Sequence, residues 1–245
     1  MSRNSSATER VAIVTGAAGG IGRALTARLE ADGWRVLPVD VRGGFEADLS
    51  TRDGNRAAVD EALARFGRID AVVANAGFQH VAPIESFDED RWDALLALLL
   101  TSPFLLARYA WPALRASGNG RIVVVASVHG LVASPFKAGY VAAKHGVLGL
   151  VKTLALEGAG DGIRASAVCP GYVRTPLVER QIADQARAHR VPEERVLQDV
   201  LLAPQALKRL LEPAEVAEAV AWLLGPAGTS FTGAPLVLDG GWTAR

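Results

Sequence analysis

Short runs of β-branched and aliphatic residues recur along this chain. Each is followed by a longer stretch in which apolar positions return every three or four residues. Residues 11–15, 35–39, 71–74, 121–126, 164–169 and 236–238 read as strands, and most are apolar throughout. That is the pattern of strands covered on both faces, rather than of a sheet with one wet side. Residues 20–32, 52–66, 90–117, 139–158 and 213–224 read as helices. Gly33 and Gly67 stand where C-terminal caps belong, and Pro213 suits a first helical turn. Strand and helix in alternation predict an α/β fold of three layers, a doubly wound parallel sheet with helices on both faces and right-handed crossovers. Such a sheet takes its ligand outside the carboxyl ends of the strands.

Three stretches fit this scheme less simply. Asp40 and Asp48 each close an apparent strand, but residues 41–45 are too few for a crossover helix, which with its turns takes at least about 10 residues. Either the strand before Asp48 is vestigial or the chain crosses there as bare loop. Residues 176–211 are mostly polar and are split by Pro192 and Pro204. They follow a sheet strand without being needed to complete the sheet, and read either as a lid that closes over a substrate or as amphipathic surface helices. Residues 1–10 read as a flexible polar lead-in to a single domain over 11–245.

Composition narrows the class. The chain has 245 residues, half of them apolar, with 26 basic against 26 acidic side chains. One sizeable core is expected, and the zero balance argues against a nucleic-acid coat or an anionic membrane as partner. The longest charge-free runs, residues 94–107 and 122–136, fall short of the roughly 18 apolar residues a membrane span requires. Cys169 is the single cysteine, which excludes an internal disulfide or a C-x-x-C site. Histidines at 80, 129, 145 and 189 show no ligand spacing, so no catalytic metal is expected. The reading is a soluble cytoplasmic protein.

The first strand runs into Gly16-Ala17-Ala18-Gly19-Gly20-Ile21-Gly22 and then a helix. Glycines at 16, 20 and 22 would let the backbone turn tightly beside a pyrophosphate, with helix amides facing its charge. Asp40 ends the next strand, where a carboxylate can bind a ribose 2′-hydroxyl. It would repel a 2′-phosphate and so favours NAD over NADP, although Arg42 could pair with such a phosphate. Strand, glycine loop, helix and acid in that order define a Rossmann-type fold.

Tyr140 and Lys144 stand four residues apart, on one helix face. A nearby cation is expected to lower the phenol from its ordinary pKa of about 10 towards neutrality, so that it can exchange a proton with an alcohol or carbonyl. Ser127 ends the preceding strand and could reach the same oxygen. His129 and Lys137 flank this pair as two potential cations, which suits a small substrate bearing a carboxylate. Gln79 and Gln181 could add neutral donors. Each of these four residues also has a plainer reading as a solvated side chain.

Taken together, residues 15–22, Asn75-Ala76-Gly77, Ser127 with Tyr140 and Lys144, and Pro170-Gly171 resemble the short-chain dehydrogenases/reductases, over nearly the whole chain. The resemblance implies Tyr140 as acid/base, Lys144 tuning it and holding the nicotinamide ribose, and Ser127 orienting the substrate oxygen. It places Asp48 and Leu49, with Ile21 of the loop, along the dinucleotide. Asn75 braces the sheet edge, and Pro170, Val173 and Thr175 pass the nicotinamide. It also implies a homotetramer joined through helices 90–117 and 139–158. The stretches around Gln79, His129–Ser134, Tyr140–Gly146, residues 169–181 and 239–245 resemble the D-3-hydroxybutyrate dehydrogenase branch. There the positions of Gln79, His129, Lys137 and Gln181 hold a carboxylate, which implies NAD-dependent oxidation of (R)-3-hydroxybutyrate to acetoacetate and its reverse.

One position departs from the family pattern. The family's asparagine in the long helix is Leu99 here, so a relay water would be held by backbone carbonyls alone, or by Thr101 or Ser102, or turnover suffers. This departure keeps two alternatives open: a reductase of another small keto acid or carrier-bound ketone, and a catalytically silent NAD-binding protein.

Overall fold

A computed structural model describes residues 9–244, so residues 1–8 of the expected flexible lead-in lie outside the described residues. Seven strands form one parallel sheet: β1 (Val11–Thr15), β2 (Arg35–Asp40), β3 (Phe45–Glu46), β4 (Ala71–Ala74), β5 (Arg121–Val125), β6 (Arg164–Pro170) and β7 (Pro235–Leu238). Their order across the sheet is β3-β2-β1-β4-β5-β6-β7. The order reverses between β1 and β4, and in such sheets the crevice above that point is where ligands bind.

The apolar runs of the strands feed two separate cores because successive side chains of a strand point to opposite faces. In β1, Ile13 enters one core while Ala12 and Val14 enter the other. The first core is closed by α2 (Arg52–Phe66), α4 (Ser102–Ala116) and α5 (Ala138–Gly158), through residues such as Ala58, Leu106 and Val151. The second is closed by α1 (Gly20–Ala31) and α9 (Pro213–Leu224), through Leu25, Leu29, Val216 and Val220. Gly67 and Pro213 sit where expected, and two N-terminal caps join them. Gly67 ends α2 in the left-handed region at φ 72°, Thr51 accepts the Gly54 N–H, and Glu212 with Glu215 forms a capping box around Pro213.

Between Asp40 and Asp48 the strand is vestigial: β3 has two residues, pairing Phe45 with Val39 and Glu46 with Asp40. The helix expected over 90–117 is one rod with a break in its hydrogen bonding. It comprises α3 (Glu89–Leu96), a π turn (Ala97–Thr101) and α4. By length and composition Glu89–Ala116 could cross a bilayer, but 44% of its apolar stretch is buried in the fold. Residues 176–211 carry α6 (Pro176–Glu179), α7 (Ile182–His189) and α8 (Glu193–Val196), gathered on a small core of their own with Tyr172 and Trp242.

Candidate active site

A cleft of about 810 Å³ opens above the carboxyl ends of the strands, and it collects nearly every residue singled out in the sequence. Gly16, Gly20, Ile21, Gly22, Asp40, Asp48, Leu49, Asn75, Gln79, Ser127, His129, Lys137, Tyr140, Lys144, Pro170, Val173, Thr175 and Gln181 all line it.

At one end the chain leaves β1 through the glycine loop. Gly22 has no room for a side chain, since a Cβ there would lie 2.0 Å from the Gly16 carbonyl oxygen. Gly16 turns at φ 64° with its α-carbon against Ala76. Helix α1 begins at Gly20 with no side chain capping its first amides and no acidic residue in its first turn. Those free amides and the helix dipole suit the phosphates of a dinucleotide. Asp40 accepts the N–H groups of Ala18 and Val41 at 2.9 and 2.8 Å, which fixes its carboxylate beside the loop. Asn75 bonds the Thr15 and Gly16 carbonyls, tying β4 to the end of β1. The residues fit the dinucleotide that the motif implies.

At the other end, Ser127 closes β5 and its hydroxyl accepts the His129 N–H at 3.1 Å. Tyr140, in the first turn of α5, shares a hydrogen bond with Ser127. Lys144 lies one turn further and is buried, donating to the Val125 carbonyl at 2.8 Å. Its Nζ is 5.6 Å from the centre of the Tyr140 ring. The expected lowering of the phenol is outweighed by burial. Burial pushes Tyr140 up to about 12, although the bond from Ser127 draws it down, and burial brings Lys144 down to about 8.

The two expected cations also divide. His129 is buried, and burial together with the positive charge of Lys137 holds its imidazole down to about 3, so it stays neutral. Its Nε2 pairs with Ser134 Oγ at 2.9 Å. Lys137 alone can carry charge. It is 2% exposed, and burial brings it down to about 7. Its Nζ donates to Tyr172 Oη at 2.9 Å and to Gln181 Oε1 at 3.5 Å. Among the described residues no carboxylate pairs with it. Phe136, just before it, holds φ 65°, a left-handed conformation that is costly for a bulky side chain. Its ring packs edge-on against His189 at 5.1 Å, so α7 braces the turn that sends Lys137 inward.

Leu99 fills the place of the expected asparagine with hydrocarbon. It is buried in the π turn beside Leu95 and Ala143, against Tyr140 and Phe78. Neither Thr101 nor Ser102 lines the cleft: Thr101 faces solvent and Ser102 donates to Asn55 Oδ1 at 2.7 Å. Of the options weighed for a relay water, the backbone carbonyls remain. Tyr172 and Trp242, which the sequence reading passed over, also line the cleft, stacked at 5.7 Å and 24° with His129 edge-on to both. Their aromatic identity was visible in the sequence. Their convergence, across seventy residues, was not.

A glycine loop on an uncapped helix beside a Ser–Tyr–Lys set gathered in one cleft defines an oxidoreductase built to use a nicotinamide dinucleotide. The comparisons agree. A family profile described as enoyl-(acyl carrier protein) reductase matches residues 16–243. D-beta-hydroxybutyrate dehydrogenase of Rhizobium meliloti is 41% identical, over 96% of this chain and 99% of that protein. The enzyme of the same name from Cupriavidus necator is 38% identical, over 96% and 98%. The ligand-free aldohexose dehydrogenase of Thermoplasma acidophilum superposes with a TM-score of 0.88 at 31% identity, over 97% and 95% of the two chains. The chain belongs to the short-chain dehydrogenase/reductase family. It is an oxidoreductase acting on alcohol groups, and dehydrogenases of this family use nicotinamide cofactors.

Proposed function

We propose that this protein is an NAD-dependent dehydrogenase of a small anionic hydroxy acid, converting (R)-3-hydroxybutyrate to acetoacetate and back. The observation that carries the reading is Lys137, an ammonium buried in the reaction cleft with only neutral partners. A buried charge without a counter-ion is costly. A carboxylate entering from solvent supplies the missing charge and would hold the reacting carbon in register with Tyr140.

Within this reading Tyr140 takes the proton of the substrate hydroxyl and returns it in the reverse direction, and Ser127 holds the same oxygen. Lys144 anchors the ribose side. His129, neutral, and Gln79 and Gln181 supply donors for the substrate. When bound, the dinucleotide accepts or delivers the hydride. A phenol near 12 is almost wholly protonated at neutral pH, so Ser127 and the charge of Lys144 would have to draw it down before it can take a proton. Asp40 favours NAD over NADP through the ribose 2′-hydroxyl.

The segment 176–211 serves as the cover of the site, since α6 and Gln181 lie on the cleft wall. A homotetramer formed through α3–α4 and α5, where Phe104 and Leu156 are exposed, and a cytoplasmic setting belong to the same reading.

The deciding assay follows NADH absorbance with (R)-3-hydroxybutyrate, with its (S) enantiomer, and with NADP replacing NAD. Turnover is expected with the (R) acid and NAD. Tyr140→Phe should lower kcat by about a thousandfold, within the usual range for a lost acid/base, while leaving NAD affinity nearly unchanged. NAD binding without turnover on any hydroxy acid would instead make Leu99 the mark of a silent binder, and retained activity in Tyr140→Phe would end the acid/base assignment.

A further inference from the structure

The bond between Lys137 Nζ and Tyr172 Oη has a direction that leaves something over. An ammonium has donors and no acceptor, so the 2.9 Å contact uses a lone pair of the phenol oxygen. The Tyr172 proton is not spent in it, and no hydrogen bond from Tyr172 Oη to another described residue is present. Its phenol is buried, and burial pushes it well above the ordinary range, so the proton stays on the oxygen at any working pH. The ring cannot easily turn away. It stacks on Trp242, touches His129 edge-on at 6.2 Å, and lies 4.9 Å from the ammonium it serves. An uncommitted O–H donor on a rigid ring, already touching a buried ammonium of the cleft, is an anion-binding group.

We propose that Tyr172 is a further substrate-binding residue, whose hydroxyl donates to the carboxylate that Lys137 contacts and so forms the second jaw of a clamp. The inference rests on the anionic hydroxy acid proposed above. It also assigns what the clamp measures. Tyr140 and Tyr172 both lie against the His129 ring, at 6.0 and 6.2 Å, so the proton-exchanging phenol and the anion-holding phenol are joined through one imidazole. Two phenols held on one ring would select substrates that carry both an acid group and a hydroxyl. A 3-hydroxy acid would engage both phenols, whereas a neutral secondary alcohol would use only Tyr140.

Tyr172→Phe keeps the ring and its stacking and removes only the oxygen. KM for (R)-3-hydroxybutyrate should rise about tenfold, the size of a hydrogen bond to a charged group. The values of kcat and of KM for NAD should hold within about threefold, and kcat/KM for 2-butanol should not move. Inhibition by acetate, competitive with the hydroxy acid, should weaken to the same extent. In a Lys137→Met background the substitution should still raise KM for the acid, because the contact is direct. No further rise in that background, or equal losses in kcat and in both KM values, would overturn the proposal. A wild-type protein that turns over 2-butanol at least as well as the acid would instead overturn the carboxylate reading beneath it.

Discussion

Around residues 16–22, recognition is written in the backbone. The side chains are small or absent, the donors are helix amides, and a carboxylate is pinned by two N–H groups. Around residues 127–140, the backbone serves only to deliver side chains, and the polar groups it delivers are held away from their ordinary states. His129 is kept neutral, Lys137 is left without a counter-charge, and Tyr140 is pushed up by burial. The first region is stable as it stands. The second holds an electrostatic debt that a ligand can settle, as groups at functional sites commonly do. The contrast teaches where each kind of substitution should act: backbone changes on one side, charge changes on the other.

The largest effect on cofactor binding is expected in the backbone region. Gly22→Ala places a methyl group 2.0 Å from the Gly16 oxygen, so the loop must open. NAD affinity, read by fluorescence titration, should fall by about a hundredfold, as misplaced binding geometry commonly costs. Affinity kept within a few-fold would show that the loop is not backbone-limited after all.

Next comes the charge. Burial lowers Lys137 from 10.5 to about 7, so the folded state holds its proton less tightly than the unfolded state does. Its cost to stability is full below pH 7 and fades as pH rises towards the unfolded value. Lys137→Met should thus stabilise the protein at pH 6 by up to roughly 5 kcal/mol, and by less at pH 9, while KM for the hydroxy acid rises steeply. Urea melts at the two pH values check the sign. A destabilised variant at pH 6 would mean that the ammonium already has a counter-charge.

The smallest effect is a pH dependence. The titratable groups facing Lys137 are His129 from the turn after β5, Tyr172 after β6 and His189 at the end of α7. His129 is neutral and Tyr172 protonated across the working range. The ratio of kcat/KM for the hydroxy acid to that for a neutral alcohol should therefore follow Lys137. It should fall roughly fivefold between pH 7 and pH 8, as a single group with pKa about 7 loses its proton. A flat ratio would detach substrate binding from the lysine.

The same division explains what could be read in advance. The fold was legible because period and punctuation are local. Apolar runs marked six of the seven strands, Gly33, Gly67 and Pro213 marked helix ends, and the two-residue β3 was left open because so short a pairing has no period. The glycine loop was legible for the same reason. Tyr140 and Lys144 were placed on one face correctly by helical spacing, but the upward push of burial on Tyr140 was not foreseen. Spacing says which face a residue shares, while desolvation depends on everything packed around it. The π turn at Ala97–Thr101 left no sequence signature, and Tyr172 met Lys137 only through tertiary packing.

The left-handed turn at Phe136 joins two things that look independent. Its ring leans on His189, and its next residue is the buried, unpaired ammonium of Lys137. Whatever shifts α7 relaxes that turn and re-aims the positive charge, and by reciprocity an anion seated on Lys137 steadies α7. If 176–211 is the cover proposed above, roof and floor of this chamber share a single hinge pin, and filling the chamber and shutting it would be one event.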